Sequence, residues 1–188
     1  LPILKWILGD TIVPLAVTVG LLTQFLAVLY IVLSSWGKQR TLLTLVVVAT
    51  LTWSAEAIGS TTGFPFGAYE YTDSLQPQLA HVPLVIPIAW FMMLSPAWAI
   101  AQTIVGVANM RTGKGFLLYI IISGLALTVW DLFLDPQMVL WGFWKWENPQ
   151  GYFGIPFVNF FGWFLVAIIV TAIVRPQRLP VVPLIAIY

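Results

Sequence analysis

Five apolar runs, each long enough to cross a bilayer, dominate this chain, and most of its charged side chains fall in the gaps between them. A span needs about 20 apolar residues to cross ~30 Å of hydrocarbon. Runs of that kind occupy about residues 11–33, 41–59, 83–107, 116–135 and 155–174. Of the 188 residues 60% are apolar and only 8% charged, whereas about a quarter are charged in water-soluble domains. The expectation is an all-α, polytopic integral-membrane bundle with at least five transmembrane helices, forming a single transmembrane domain over 1–188. A further apolar stretch from 181 reads as a truncated sixth span, and Leu1 to Leu8 as the tail of an earlier helix. With Leu at position 1 and an apolar run at the end, both termini read as incomplete or processed.

The signs of the charges orient these spans. Lys38 and Arg40, Arg111 and Lys114, and Arg175 and Arg178 fall in alternate gaps. Glu56, Glu70, Asp73, Asp131, Asp135 and Glu147 lie in or near the other gaps, where Lys145 alone is basic. Basic loops stay on the cytoplasmic side. The gaps at 34–41, 108–115 and 175–180 are therefore expected inside, and the acidic loops at 60–82 and 136–154 outside the cytoplasm of a prokaryotic plasma membrane. A net charge of +1 argues against a nucleic-acid partner. Cysteine is absent and His81 is the only histidine, so neither thiolate chemistry nor a histidine-based metal site is expected. The first apolar run is too long for a signal-peptide core.

Carboxylates carry the most information, because an acid at the centre of a lipid-facing helix costs about 2.5–3.5 kcal/mol on insertion scales and so faces a cavity or a partner. At 1.5 Å of rise per residue, Glu56 and Asp131 lie roughly 6 Å inside the acidic ends of the second and fourth spans. Trp90 and Asn159 reach a comparable depth from the third and fifth. Asp131 and Asp135 are four apart, on one helix face. The bland alternative is hydration at the interface or capping of a loop. Two carboxyls in one apolar pocket would divide into an acid and a base. The 10 Trp, 12 Phe and 6 Tyr crowd toward the same end, at 64–71 and 141–153. Interfacial belts explain many such aromatics, yet aromatic faces beside acids can also stabilise a cation. Phe66, Tyr69, Tyr71, Trp90, Trp144, Trp146 and Trp163 are the candidates. Pro83, Pro87 and Pro96 should break or kink the third span. Gln24, Gln102 and Asn109 read as interhelical hydrogen-bonding groups.

A weak internal symmetry runs through these pieces. Trp53, Glu56, the loop Gly63 to Tyr71 and Val82-Pro83-Leu84 are matched by Trp130, Asp131, the loop Trp141 to Tyr152 and Gly154-Ile155-Pro156. Both copies run in the same direction, as in parallel helix-loop-helix repeats with a site between the halves.

The ordered strings Gly63-Phe64-Pro65-Phe66-Gly67 with Tyr69 and Tyr71, Val82-Pro83-Leu84 through Pro87-Ile88-Ala89-Trp90, and Asp135-Pro136 are distinctive. So are Trp144 with Trp146, and Gly151-Tyr152-Phe153-Gly154-Ile155-Pro156 through Asn159-Phe160-Phe161-Gly162-Trp163. From Trp53 to Trp163 the chain resembles the integral-membrane carotenoid biosynthesis family, which includes the γ-carotene and bisanhydrobacterioruberin hydratases. The resemblance implies cofactor-independent addition of water to the terminal C=C of a ψ-end carotenoid. A carboxylic acid protonates the alkene, aromatic faces hold the tertiary cation, and a carboxylate-bound water attacks it. Carried onto this chain, Glu56 and Asp131 become the acid and base pair. Asp135, Glu70, Tyr71 and Asn159 orient water and close the pocket. No metal and no cofactor are implied; the expected partners are a carotenoid substrate or bound ligand, membrane lipids and other membrane subunits.

Family chains are longer and carry more spans, and glycines are expected about where Gln76 and His81 stand. These departures open a second class of function, a non-catalytic subunit that holds a carotenoid, quinone or lipid within a larger, photosynthetic assembly. A small transporter fits less well, because the basic half of the chain offers no polar path opposite the acidic half.

Overall fold

A computed structural model describes residues 9–110 and 112–188. The expectation for Leu1 to Leu8 lies outside these residues. Five long helices follow one another: α1 (Val13–Trp36), α2 (Lys38–Thr62), α3 (Val85–Val105), α4 (Gly113–Leu140) and α5 (Phe157–Val174). All are long and apolar enough to cross a membrane. The fold is the expected all-α polytopic bundle. Strands β1 (Tyr69–Tyr71), β2 (Gln78–Leu79) and β3 (Val82–Pro83) connect α2 to α3, and β4 (Trp144–Trp146) lies between α4 and α5. A short helix, α6 (Val181–Ile185), follows α5.

Helix α3 is the hub. Its apolar span is 78% buried against 11% for α1, so α3 is the core and α1 the outer wall. The sequence of α3 is apolar all round, and such a helix must be surrounded; Trp90, Phe91, Leu94, Ala97, Trp98 and Ala99 are fully enclosed. It packs against α1, α2, α4 and α6, while α5 packs on α4 and α2. Gly124 lets α4 and α5 approach closely, since a Cβ there would lie 2.7 Å from Ile168 and 2.8 Å from Phe164. Small residues at helix contacts are how membrane bundles gain close packing.

At the basic end, side chains satisfy backbone carbonyls that helix termini leave open. Arg40 donates to the carbonyls of Val174 and Arg175 at 3.0 and 3.1 Å. Trp36 donates to the Arg178 carbonyl at 3.0 Å, and Gln102 bonds the Leu179 backbone in both directions at 2.9 and 2.8 Å. Gln102 thus ties a helix to a connecting segment. Asn109, expected to bridge helices, bonds the Val105 carbonyl one turn back.

At the acidic end the two loops meet. Strands β1 and β4 pair antiparallel with Tyr69 opposite Trp146, Glu70 opposite Lys145 and Tyr71 opposite Trp144. Side chains alternate across a strand, so the aromatics turn into the bundle while Glu70 and Lys145 form a 2.8 Å ion pair on the surface. The pairing joins the loop that follows α2 to the loop that follows α4. Phe66 anchors the first loop, filling the gap between Gly59 and Gly162.

Some boundaries differ from expectation. The gap at 34–41 shrinks to Gly37, whose φ of 74° turns α1 directly into α2. The fourth helix runs on to Leu140 with Pro136 inside it. Pro83 lies in a strand, Pro87 in the first turn of α3, where a proline costs little, and α3 continues unbroken through Pro96. The sixth apolar stretch forms only α6, where Leu184 is buried and the Tyr188 hydroxyl donates to the Ala126 carbonyl at 2.6 Å. At His81, one of the expected glycines, φ is 62°, a conformation glycine adopts most easily.

Gly162 provides a direct test of this packing. A Cβ there would sit 2.7 Å from both the Phe66 ring and the Pro65 carbonyl oxygen. Gly162→Val should lower stability by about 1–3 kcal/mol through overpacking, read as a lower melting temperature in detergent.

Candidate functional site

Three buried carboxyls gather beneath the paired loops. Glu56 is 3% exposed, Asp131 0% and Asp135 1%. A buried carboxylate is tolerated when donors satisfy it, and each cluster is supplied from several elements. Glu56 Oε2 accepts from the Tyr69 hydroxyl at 2.5 Å and the Tyr71 hydroxyl at 2.9 Å, and Oε1 accepts from Trp90 Nε1 at 2.9 Å. The donors come from β1 and α3, so the loop must fold back over its own helix to complete the cluster.

The second cluster repeats this plan. Asp135 Oδ1 accepts from Trp144 Nε1 of β4 at 3.1 Å, and Oδ2 from Asn159 Nδ2 of α5 at 2.5 Å. The same amide donates to Asp131 Oδ2 at 3.1 Å. Asp131 Oδ1 is buried without a partner. The two aspartates are one helical turn apart and share the Asn159 amide. In each half a helix carries the acid, the following strand lends an aromatic donor, and the next helix lends a second.

Between the clusters lies a cavity of about 560 Å³. Glu56, Asp135 and Asn159 line it, as do Phe66, Tyr69, Tyr71, Trp90, Trp144, Trp146 and Trp163. Trp90 and Trp163 stack across the interface of the halves, with ring centroids 4.2 Å apart and planes 12° from parallel. Trp146 donates to the Phe66 carbonyl at 3.2 Å, pinning β4 to the first loop. Two expected residues stand apart. Asp131 sits behind Asp135 and Asn159 rather than on the cavity wall. Glu70 points outward to Lys145, because it occupies the outward position between Tyr69 and Tyr71.

Sequence reasoning did not assign the far wall to α1 from Ala16 to Gln24 or to Trp130, Leu134, Gln137 and Met138 of α4 with Trp141 just past its end. Trp130 and Trp141 entered only as members of the repeat, and Gln24, a polar residue in the middle of an apolar span, was expected to bond another helix and instead lines the cavity.

A family model described as carotenoid biosynthesis protein matches residues 15–178. The chain belongs to that family. Over 128 residues this family member is 32% identical to the bisanhydrobacterioruberin hydratase of Haloarcula japonica, a match covering 68% of this chain and 42% of that protein. The chain therefore spans less than half the length of this relative. No solved structure matches it.

Electrostatics around the loop tyrosines give a measurable consequence. Burial, and then the neighbouring Glu56 carboxylate, push the Tyr69 and Tyr71 phenols well above their ordinary value of 10.0. Both stay neutral donors. Below pH 10 the phenols are protonated folded and unfolded alike. Above it the unfolded chain releases protons that the folded protein retains, so stability falls as pH rises. Thermal unfolding in detergent should show this loss above pH 10, and Tyr71→Phe should make it shallower.

Proposed function

We propose that this protein hydrates the terminal double bond of an acyclic carotenoid end group. The observation that supports this reading most strongly is that carboxyls from both halves, Glu56 and Asp135, line one largely apolar cavity walled by tryptophan and tyrosine. Uncatalysed protonation of an isolated alkene is slow because it creates a tertiary carbocation. Such a site lowers the barrier with an acid at one wall, a base at another and π faces beside the developing charge.

The Asp131 and Asp135 pair serves as the acid. Its proton adds to the less substituted alkene carbon, and the π electrons form the new C–H bond. The tertiary cation left behind lies against the Trp90 and Trp163 rings. Glu56 serves as the base, since every hydrogen bond it makes is one it accepts. It takes a proton from water as the water oxygen bonds to the cation, giving a tertiary alcohol. Proton transfer from Glu56 back to the aspartate pair, through water in the cavity, restores the starting state. Asn159 positions both aspartates, and Asp131 acts through Asp135. The acidic loops lie outside the cytoplasm in this reading, so the site sits beneath the outer headgroups.

The match to a hydratase over part of its length supports the same chemistry. Incubation of the purified protein with an acyclic-ended carotenoid should yield a product heavier by one water. Asp135→Asn and Glu56→Gln should each reduce its formation by about 10²–10⁴-fold with unchanged melting temperature. Undiminished turnover in both variants would overturn these roles. Stoichiometric bound pigment without product would point instead to a carotenoid-binding subunit.

A further inference from the structure

Helix α1 is the least buried of the long helices. Its buried residues are Val13 at one end and Val28, Val32 and Trp36 toward the other. Between them only partly buried side chains, among them Val17, Leu21 and Phe25, meet the core, and the helix packs chiefly on α2, α3 and α6. The carboxyl cavity lies between α1 and α4, bounded by Ala16 to Gln24 on one side and by Trp130, Leu134, Gln137 and Trp141 on the other. Three positions in α4 and its C-cap Trp141 follow i, i+4, i+7 and i+11, the spacing of one helix face. From Ala16 to Gln24 the wall extends ~12 Å along the helix axis. The cavity is thus a slot elongated along the helices, and the exposed Gly20, Thr23 and Gln24 on one side and Gln137 on the other put an opening between α1 and α4.

Gly20 marks the rim of this slot. A glycine in a helix interior costs about 1 kcal/mol relative to alanine, and in membrane helices it usually allows another helix to approach. Gly124 meets that description, and Gly162 admits the Phe66 loop in the same way. Gly20 does not, because a Cβ built there has no atom within 4 Å, and the residue lines the cavity. Any larger side chain would project into open space at the mouth.

We infer that the gap between α1 and α4 is a lateral portal through which a long acyclic isoprenoid chain enters from the hydrocarbon, its end reaching the carboxyls while the remainder lies past Gly20 in lipid. This rests on the reading of the cavity as a carotenoid site and adds the route and the position that sets its width. The occupant follows from the walls. They are mainly apolar along the slot, with only the uncharged Thr18, Thr23, Gln24 and Gln137 interrupting them, and carry carboxyls at the inner end alone, which suits a linear hydrocarbon with its reacting end foremost. A slot open to lipid also explains how a substrate without polar groups arrives, since it never has to cross the charged loops. Gly20 is on this account a specificity-determining position, selecting slender chains over ring-ended ones.

The chain has no cysteine, so a single Gly20→Cys variant in membranes carries a unique thiol. A membrane-soluble maleimide should label it, and an acyclic carotenoid such as lycopene should slow that labelling several-fold. Leu26→Cys, on the exposed face away from the cavity, should be labelled equally with or without lycopene. Thr23→Cys, also on the slot, gives a second reading if Gly20→Cys does not accumulate. Protection at the slot and not at Leu26 supports the portal even if no alcohol forms, in which case the hydration reading alone fails. Equal labelling with and without lycopene at Gly20 and Thr23 overturns the portal, whatever the turnover. Gly20→Phe should reduce bound lycopene several-fold with unchanged melting temperature; full binding in that variant would also overturn it.

Discussion

Burying three carboxyls inside a greasy bundle is the constraint around which the rest of the structure is arranged. A buried acid without donors is costly enough to destabilise a helix in the membrane, and no single helix here can supply the donors it needs. The loops therefore return into the bundle. Tyr69 and Tyr71 come back over α2 to Glu56, and Trp144 comes back over α4 to Asp135. Pairing of β1 with β4 locks both returns together. Asn159 and Trp90 then bring in α5 and α3. Every long helix except α1 is fastened to the site by a hydrogen bond to one of these acids or by carrying the acid itself.

The exception is informative. Freed from the carboxyl network, α1 is buried mainly from Val28 to Trp36 and borders the cavity between itself and α4. The tightly bonded half of the molecule gives the rigid, preorganised wall that proton chemistry requires. The loosely packed half gives, on the proposed reading, the opening a membrane-borne substrate requires. The two properties fall to different helices because the acids reside on α2 and α4, not on α1.

Much of this was legible in the residues. The five spans follow from apolar length, and the clustering of Glu56, Asp131, Trp90 and Asn159 follows from their depth along antiparallel helices. The motif strings from Gly63 to Trp163 indicate the family, and the match over 15–178 bears that out. What could not be read was rotation about each helix axis and the path of the loops. Depth places Asp131 and Asp135 together but does not say that Asp135 alone faces the cavity, which depends on how α4 is turned against α5. Glu70 looked equivalent to its neighbours until β1 paired with β4 and the alternation of the strand sent it outward. The continuation of α4 through Pro136 was hidden as well, because proline weakens a helix locally while packing of the following turn can sustain it. The far wall carried almost no signal, since an apolar helix facing a cavity and one facing lipid look the same in sequence.

On the proposed reading, one chamber supplies both the proton and the water. Incubation of the protein with an acyclic-ended carotenoid in D₂O enriched in ¹⁸O, followed by mass spectrometry of the product, separates the two contributions. A tertiary alcohol with solvent oxygen on the tertiary carbon and one carbon-bound deuterium on its neighbour is expected. An alcohol lacking that deuterium, or carrying oxygen from another source, would rule this chemistry out.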